Sequence, residues 1–419
     1  MEKDILKIDS CIIGGSIAGL WTALELAKKG QKVLVIDKTY IGQEKGSIDL
    51  CVNNIATTNM LDTVLKAQKR WFEIKDQFEK DLNIELRGCL SFALNNQEDA
   101  ILENFLNIQK KVGDDIGSFI IKDKQAIKTL IKAREIGELV KSALVSVEDI
   151  SLNNQTCLDF LRQQLIKNGA QFWGSDEVID FDIKDKKIKA LVTKETIIES
   201  KNIILASGAR SNMLLEKIGL NMPLRPARTH IIEFTSKVKL PAQILHHRGK
   251  YGDYICKPML NGRNHLIYTG IEDQMQATWS REPNMQVVKS SMLEMINILP
   301  VLEFADIQDT HTAQLAVTPD RMPYFGKTKH YDNLFLNIGL NGLNYLLAPY
   351  FAEKIVDLVV SNKKDPHLSE YNPDRFMEDD YKIDYEALKE NKEDEVSSTI
   401  EHHDHDDEET EQAETNEEK

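Results

Sequence analysis

The chain lacks most features that mark secreted, membrane-spanning or nucleic-acid-binding proteins. Its 419 residues hold five cysteines, Cys11, Cys51, Cys89, Cys157 and Cys256, with no C-x-x-C pair and no zinc-ligand spacing. That argues against a disulfide framework or a cysteine-bound metal, and the odd number in apolar settings predicts buried thiols in a reducing compartment. No apolar run approaches the ~18–20 residues of a membrane span. The opening MEKDILKIDS carries acids and reads as the start of a strand instead of a signal peptide, so a cytoplasmic location is expected. Basic charge is scarce as well: 52 Lys and Arg stand against 67 Asp and Glu, a formal charge of -15. Such a chain has no excess of cations with which to grip a phosphate backbone, and nucleic acid is not expected as a partner.

Most of that negative charge sits at one end. Residues 391–419 hold 13 acids and 2 lysines, which leaves only about -4 for the rest. The tail, ending HHDHDDEETEQAETNEEK, has almost no apolar side chains to offset the entropy of ordering. Its His402, His403, Asp404 and His405 have metal-ligand chemistry, but a solvated acidic tail is the simpler reading, and no metal is expected. Ahead of it the chain is 42% hydrophobic and long enough for two domains with their own cores.

Residues 11–38, CIIGGSIAGLWTALELAKKGQKVLVIDK, carry the chemistry. An apolar strand enters a glycine turn, an amphipathic helix follows, and a second apolar strand ends on Asp37. This is the G-x-G-x-x-G dinucleotide fingerprint with Gly14 first, Gly19 third and Ser16 in the middle place. The first glycine makes the tight turn, the third allows close helix–strand packing, and the middle one lets a pyrophosphate approach free backbone N–H groups. Serine is the smallest polar intrusion at that point, and its hydroxyl can donate to a phosphate. Asp37 is placed to accept from a ribose hydroxyl and disfavours a 2′-phosphate, so FAD or NAD is expected over NADP.

Periodicity organises the remainder. Residues 60–82 read as an amphipathic helix, 84–94 as a strand, 98–112 as a helix and 156–173 as a helix capped by Gly169 and followed by a strand. Two hairpin strands are expected in 178–193, and NIILASGARS is a buried strand opening into a small-residue turn. Between 213 and 312 β runs dominate, interrupted by a helix at 285–299. From 317 the pattern of turn, strand and helix returns, through Val360. The order predicts an α/β fold, α+β overall, in which a Rossmann-like nucleotide-binding domain is interleaved with an antiparallel β-sheet substrate domain. The expected boundaries are 1–83, 143–212 and 313–362 for the first, 84–142 and 213–312 for the second, and 363–419 for the tail.

Together, the fingerprint with Asp37, the turn NIILASGARS and the closing TPDRMPYFG…NLFLNIGLNGLNYLLAP resemble the D-amino-acid oxidase and glycine oxidase superfamily of flavin oxidoreductases. Within it, DRMPYFG and the elements around 83–130 look most similar to γ-glutamylputrescine oxidoreductase. The resemblance implies FAD. It places Gly14, Gly15, Ser16, Ile17, Ala18 and Gly19 at the pyrophosphate, Asp37 and Lys38 at the adenosine ribose, and Gly46 and Ser47 in the loop beneath the flavin. Val178 falls at the adenine, Ala206, Ser207 and Gly208 at the close-approach turn, and Gly339, Leu340, Asn341, Gly342, Leu343 and Asn344 at the flavin's pyrimidine edge. Where sarcosine oxidases of the superfamily attach flavin through cysteine, this chain has Ala313, which implies noncovalent FAD. Where amino-acid oxidases carry a carboxylate-clamping arginine, it has Ala316.

The chemistry so implied is oxidation of the C–N bond of a small amine or amino acid by hydride transfer to the flavin, with O2 or another electron acceptor taking the electrons. Tyr254, Lys257 and His265 are the polar candidates expected from the β domain over the flavin. Two alternatives remain at this point: a 2-hydroxy-acid or α-amino-acid oxidase that anchors its carboxylate through Arg321 or Arg248, and a non-catalytic flavoprotein that uses its acidic tail to bind a partner.

Overall fold

Among the described residues, short β-branched runs alternating with amphipathic helices build two eight-stranded sheets, between which the chain passes more than once, and a small three-stranded one. The computed structural model describes residues 4–39, 41, 49–113, 117–259, 263–270 and 279–378. The acidic tail, its histidine cluster, Gly46 and Ser47 lie outside the described residues.

The first sheet begins with β1 (Asp4–Ile13), α1 (Ile17–Lys28) and β2 (Val33–Asp37), a βαβ unit with β1 and β2 parallel from Ser10↔Val33 to Ile13↔Ile36. Downstream come β9 (Gln171–Gly174), the hairpin β10 (Asp180–Lys184) and β11 (Lys187–Val192), and the long β12 (Thr196–Leu205). β12 lies parallel to β1 along its whole length. On its other edge β11 pairs antiparallel near Ile197 and Ile198, and β19 (Leu334–Ile338) parallel at Ile203–Leu205. β18 (Tyr324–Lys327) completes the eight strands.

Four helices are needed to follow the site. α2 (Leu61–Leu82) and α5 (Asn154–Lys167) pack with α1 beneath the first sheet, together with α8 (Asn344–Ser361). Trp21 of α1 and Trp71 of α2 meet edge to face, centroids 5.8 Å apart at 86°, and the Trp71 indole N–H donates to the Tyr345 carbonyl at 2.8 Å. That bond ties α2 to the first turn of α8. Aromatic edge contacts of this kind add ~0.5–1.5 kcal/mol beyond the area buried.

The second sheet runs in the order β17 (Asp306–Val317), β13 (Arg225–Thr235), β16 (Asn264–Gly270), β15 (Gly252–Pro258), β14 (Ile244–Gly249), β5 (Cys89–Ala93), β7 (Ser142–Ser146) and β6 (Ser118–Ile121). Its two faces have different neighbours. Tyr254, Cys256, Leu266, Tyr268, Ile232 and Phe234 pack under α7 (Met285–Ile296) with Val288 and Met292, whereas Ile255, Ile267, Ile231 and Ile244 pack against Leu50 and Val52.

The expected strand over 84–94 is two strands, β4 (Glu85–Leu86) and β5, broken at Gly88. Gly88 has φ +63, and the N–H groups of Arg87 and Gly88 both turn to the Asp149 carbonyl instead of continuing a ladder. Within 156–173 the expected helix, Gly169 stop and following strand are all present, as Asn154–Lys167, Gly169 at φ +76 and β9, whereas the helix expected over 285–299 ends earlier, at Ile296. All five cysteines are free and buried.

Asp149 sits at this junction with its carboxyl fully inside. Burial raises it to about 7 from 3.8, opposed by the Asn53 N–H donated at 3.1 Å. A carboxyl whose folded pKa lies above its unfolded one binds an extra proton in the native state, so stability falls as pH climbs from about 4 through about 7. Asp149→Asn is therefore expected to flatten the loss of Tm between pH 5.5 and pH 8, worth on the order of a few kcal/mol. An unchanged pH slope in thermal unfolding would count against an ionising Asp149.

Candidate functional site

The C-terminal ends of β1 and β12 open into a groove of about 770 Å³, within the range of small-molecule and cofactor sites. Its floor is the fingerprint turn. Gly14 has φ +117, and a Cβ there would lie 2.4 Å from the Ala206 carbonyl oxygen; one on Gly19 would lie 1.9 Å from the Gly14 oxygen. Only glycine lets the two turns meet at this distance. Ser16 is the N-cap of α1, yet its side chain makes no capping bond and it lines the groove. Its hydroxyl is thus directed to the groove's chemistry and not spent on the helix.

Asp37 has both oxygens engaged by its own chain. Gly15 N–H donates to Oδ2 at 2.8 Å, and the Thr39 N–H and hydroxyl donate to Oδ1 at 2.8 and 2.7 Å. The acid that the sequence assigned to a ribose also clamps the turn, leaving its remaining lone pairs for a ligand.

Of the residues expected at the cofactor, Gly14, Gly15, Ser16, Ala18, Asp37, Lys38, Val178, Ala206, Ser207, Gly208, Gly339, Leu340 and Asn344 line the groove. Ile17 and Gly19 do not: Ile17 is wholly buried beneath the turn, and Gly19 serves packing. Asn341, Gly342 and Leu343 face a second, smaller cavity instead. The segment is bent by three departures into left-handed space within four residues, Gly339 at φ +69, Asn341 at +52 and Gly342 at +88, and it is secured by Thr318 N–H donating to Asn341 Oδ1 at 3.0 Å. Glycine and asparagine are the residues that tolerate this region. The turn delivers the uncapped N-terminus of α8, which favours negative charge, beside the end of the groove that Leu340 and Asn344 line.

Sequence reasoning missed Asn337, Gln314, Arg210, Lys217, Trp279 and Arg281, all of which line the groove. Asn337 Oδ1 and Gln314 Oε1 are buried acceptors with no hydrogen-bond partner among the described residues. Buried acceptors are costly unless a donor arrives, and FAD brings hydroxyl, imide and amino donors. The close glycine floor, the free serine hydroxyl, four lining cations and two orphaned acceptors together fit that cofactor.

Tyr254, Lys257 and His265 do not line the groove. Strand alternation separates Tyr254 from Lys257, because positions three apart on a strand face opposite sides. Tyr254 points under α7, 4.9 Å from Tyr268 and 6.0 Å from His247 by ring centroids, where burial pushes its hydroxyl pKa up. Lys257 is sealed in the opposite face, its Nζ 2.8 Å from Asp49 Oδ1 and donating to the Leu152 carbonyl at 2.8 Å. His265 pairs with Glu233 at 3.4 Å and is lowered by burial, with Glu233 opposing. The alternation signal was present in the sequence; the partners were not.

The second cavity, about 40 Å³, lies between β15, β16, the 56–60 turn, Val317, Arg321 and the 341–343 turn. Its charged lining residues are Asp253 and Arg321. Burial alone would raise the Asp253 carboxyl, but Arg248 Nε at 2.7 Å and His246 Nε2 at 3.1 Å outweigh it and hold it well below the usual carboxylate range. His246 in turn meets Ser91 Oγ at 2.7 Å; burial lowers its pKa and keeps it neutral. Among the described residues no group of three or more His, Cys, Asp or Glu is placed to hold a metal, and no helix is long and apolar enough to cross a membrane.

A family model described as "DAO: FAD dependent oxidoreductase" matches residues 9–358. The chain is 24% identical over 385 residues to a bifunctional protein ThiO/ThiG of Trichormus variabilis, covering 90% of this chain and 56% of that protein, so it spans about half the length of such relatives. It is 22% identical over 408 residues to a D-amino acid dehydrogenase of Helicobacter pylori, covering 84% of this chain and 95% of the relative. Among solved structures, the L-proline dehydrogenase of P. horikoshii superposes with a TM-score of 0.78 at 20% identity, covering 88% of this chain and 98% of that one.

Proposed function

This chain belongs to the DAO family of FAD-dependent oxidoreductases, and from that premise we propose that it oxidises the C–N bond of a small amino acid whose carboxylate is held by Arg321. The observation that carries the reading is the small cavity beside the α8 turn, lined by Arg321 and a buttressed Asp253. Ala316 on β17 leaves no guanidinium at that position, and Arg321, five residues on at φ +57, lines the cavity from the following loop. A cavity of about 40 Å³ accommodates one small polar head group.

Gly14 to Ser16, Ala18, Asp37, Lys38, Val178, Ala206 to Gly208, Asn337, Gly339, Leu340 and Asn344 are the residues proposed to hold FAD. When bound, FAD would supply a two-electron hydride acceptor for oxidation of an amine to an imine, which water would hydrolyse. The chain's part is positioning. Arg321 fixes the carboxylate by a geometry that lysine does not reproduce. Asp253, immobilised by Arg248 and His246, offers an acceptor for the amine N–H.

The test is anaerobic reduction of the yellow protein by matched panels of amino acids, carboxylate-free amines and 2-hydroxy acids. Amino acids alone are expected to bleach the flavin. Arg321→Met should raise the half-saturating amino-acid concentration ~10–100-fold while changing the limiting reduction rate far less, since a charge-assisted hydrogen bond is worth ~1.5–3 kcal/mol. Equal bleaching by carboxylate-free amines would overturn the Arg321 assignment, and bleaching by hydroxy acids alone would replace C–N with C–O oxidation.

A further inference from the structure

One wall of the cofactor groove comes from neither the fingerprint nor the first sheet. Residues 279–284 lie between the second sheet's β16 and α7 and form a strap, two of whose residues, Trp279 and Arg281, line the groove. Four side chains of the β13–β17 ladder pin it. Thr312 Oγ1 donates to the Arg281 carbonyl at 2.7 Å, Gln314 Nε2 to the Ser280 carbonyl at 3.0 Å and Arg228 Nη1 to the Glu282 carbonyl at 2.9 Å; the Asn284 N–H donates to His230 Nε2 at 3.1 Å. These four are two adjacent cross-strand pairs, Arg228↔Gln314 and His230↔Thr312. One face of one ladder is therefore committed to holding this segment.

What the strap presents is chemically pointed. Trp279 and Arg281 both line the groove, and the Trp279 ring receives Arg210 of the first-sheet turn, guanidinium carbon 5.7 Å from the ring centroid. The contact is a cation–π pair that joins the first-sheet turn to the strap. Four cations line the groove, Lys38, Arg210, Lys217 and Arg281, and of these Arg281 alone is carried on the second-sheet side. The anionic part of FAD is its diphosphate, and arginine is the side chain best shaped to meet phosphate oxygens in pairs.

We infer that residues 279–284 are a cofactor clasp: Arg281 binds the diphosphate of FAD from the side opposite the glycine turn, and the Arg210–Trp279 contact latches the strap shut. This rests on the FAD assignment and not on the substrate reading, and its test involves no turnover, so the two fail separately. Protein stripped of flavin is titrated with FAD and with riboflavin, which lacks phosphate, following quenching of flavin fluorescence. Arg281→Gln is expected to weaken FAD ~10–100-fold and riboflavin hardly at all, and to make FAD affinity less sensitive to salt. Arg281→Lys should recover part of the loss. Thr312→Val removes a strap tie through a side chain that does not line the groove, and should weaken FAD several-fold in the same sense. FAD affinity unchanged in Arg281→Gln, or FAD and riboflavin weakened alike, would overturn the clasp.

Discussion

Gly14→Ala is expected to abolish flavin retention, whereas Ser16→Ala reduces it only modestly. The added methyl would stand 2.4 Å from the Ala206 carbonyl oxygen, 2.6 Å from its carbon and 2.8 Å from Ser207 N, all backbone atoms that cannot swing aside. The backbone at φ +117 adds strain on the order of 1–3 kcal/mol for any residue with a Cβ. Relief requires β1 and β12 to part at their C-terminal ends, where the groove opens. Ser16 loses one hydroxyl and no backbone contact. Gly30→Ala is the control: Gly30 also has positive φ, +78, but nothing lies within 4 Å of its Cβ position. It should cost ~1 kcal/mol in stability and keep its flavin. The measurement is flavin per protein after gel filtration, with circular dichroism to confirm folding. Flavin content in Gly14→Ala equal to that in Ser16→Ala would remove the close approach from the account.

The second large effect concerns stability. Lys257→Met should lower Tm by on the order of 10 °C, because breaking a buried ion pair on one side costs ~3–5 kcal/mol. Lys257 is 1% exposed and Asp49 6%. Asp49 Oδ1 receives the ammonium at 2.8 Å, while Oδ2 accepts the Asn154 N–H at 3.1 Å. Removing the lysine strands a carboxylate between the second sheet and the three-stranded ribbon formed by β3 (Leu50–Cys51), β4 and β8 (Ile150–Ser151). The double variant Asp49→Leu with Lys257→Met removes both charges and should recover most of the Tm, as apolar replacement of buried pairs commonly does. It also separates structure from chemistry. If Lys257 served the reduced flavin's reaction with O2, the double variant would regain stability and still reoxidise slowly in air. A wild-type reoxidation rate in the restabilised protein leaves the lysine a structural tie.

These two residues illustrate what was legible and what was not. The role of Gly14 is written within 24 residues, because a turn, a helix and a strand in register admit few alternatives to a dinucleotide cradle. Lys257 reads first as a structural residue on an alternating strand and second as a reactive group, and the sequence names no partner for it, since Asp49 lies 208 positions earlier in a segment with no motif. Trp279 and Arg281 had no signal at all: their position depends on the register in which Thr312 faces His230 and Gln314 faces Arg228. A one-residue slip of β17 along β13 would turn Thr312 and Gln314 to the other face and break up the set of four.

The sequence by itself determined the α/β class, the βαβ floor with Gly14, Ser16 and Asp37, the small-residue turn at Ala206–Gly208 and the membership in a flavin-dependent family, since each rests on hydrogen bonds and sterics among near neighbours. Tertiary structure alone decided which face of β15 carries Tyr254 and which Lys257, set Arg321 and Asp253 around one cavity, and brought Trp279 and Arg281 of the strap to the groove. Those outcomes depend on long-range pairing between strands, where what a side chain meets is set by register and packing and not by the residues on either side of it.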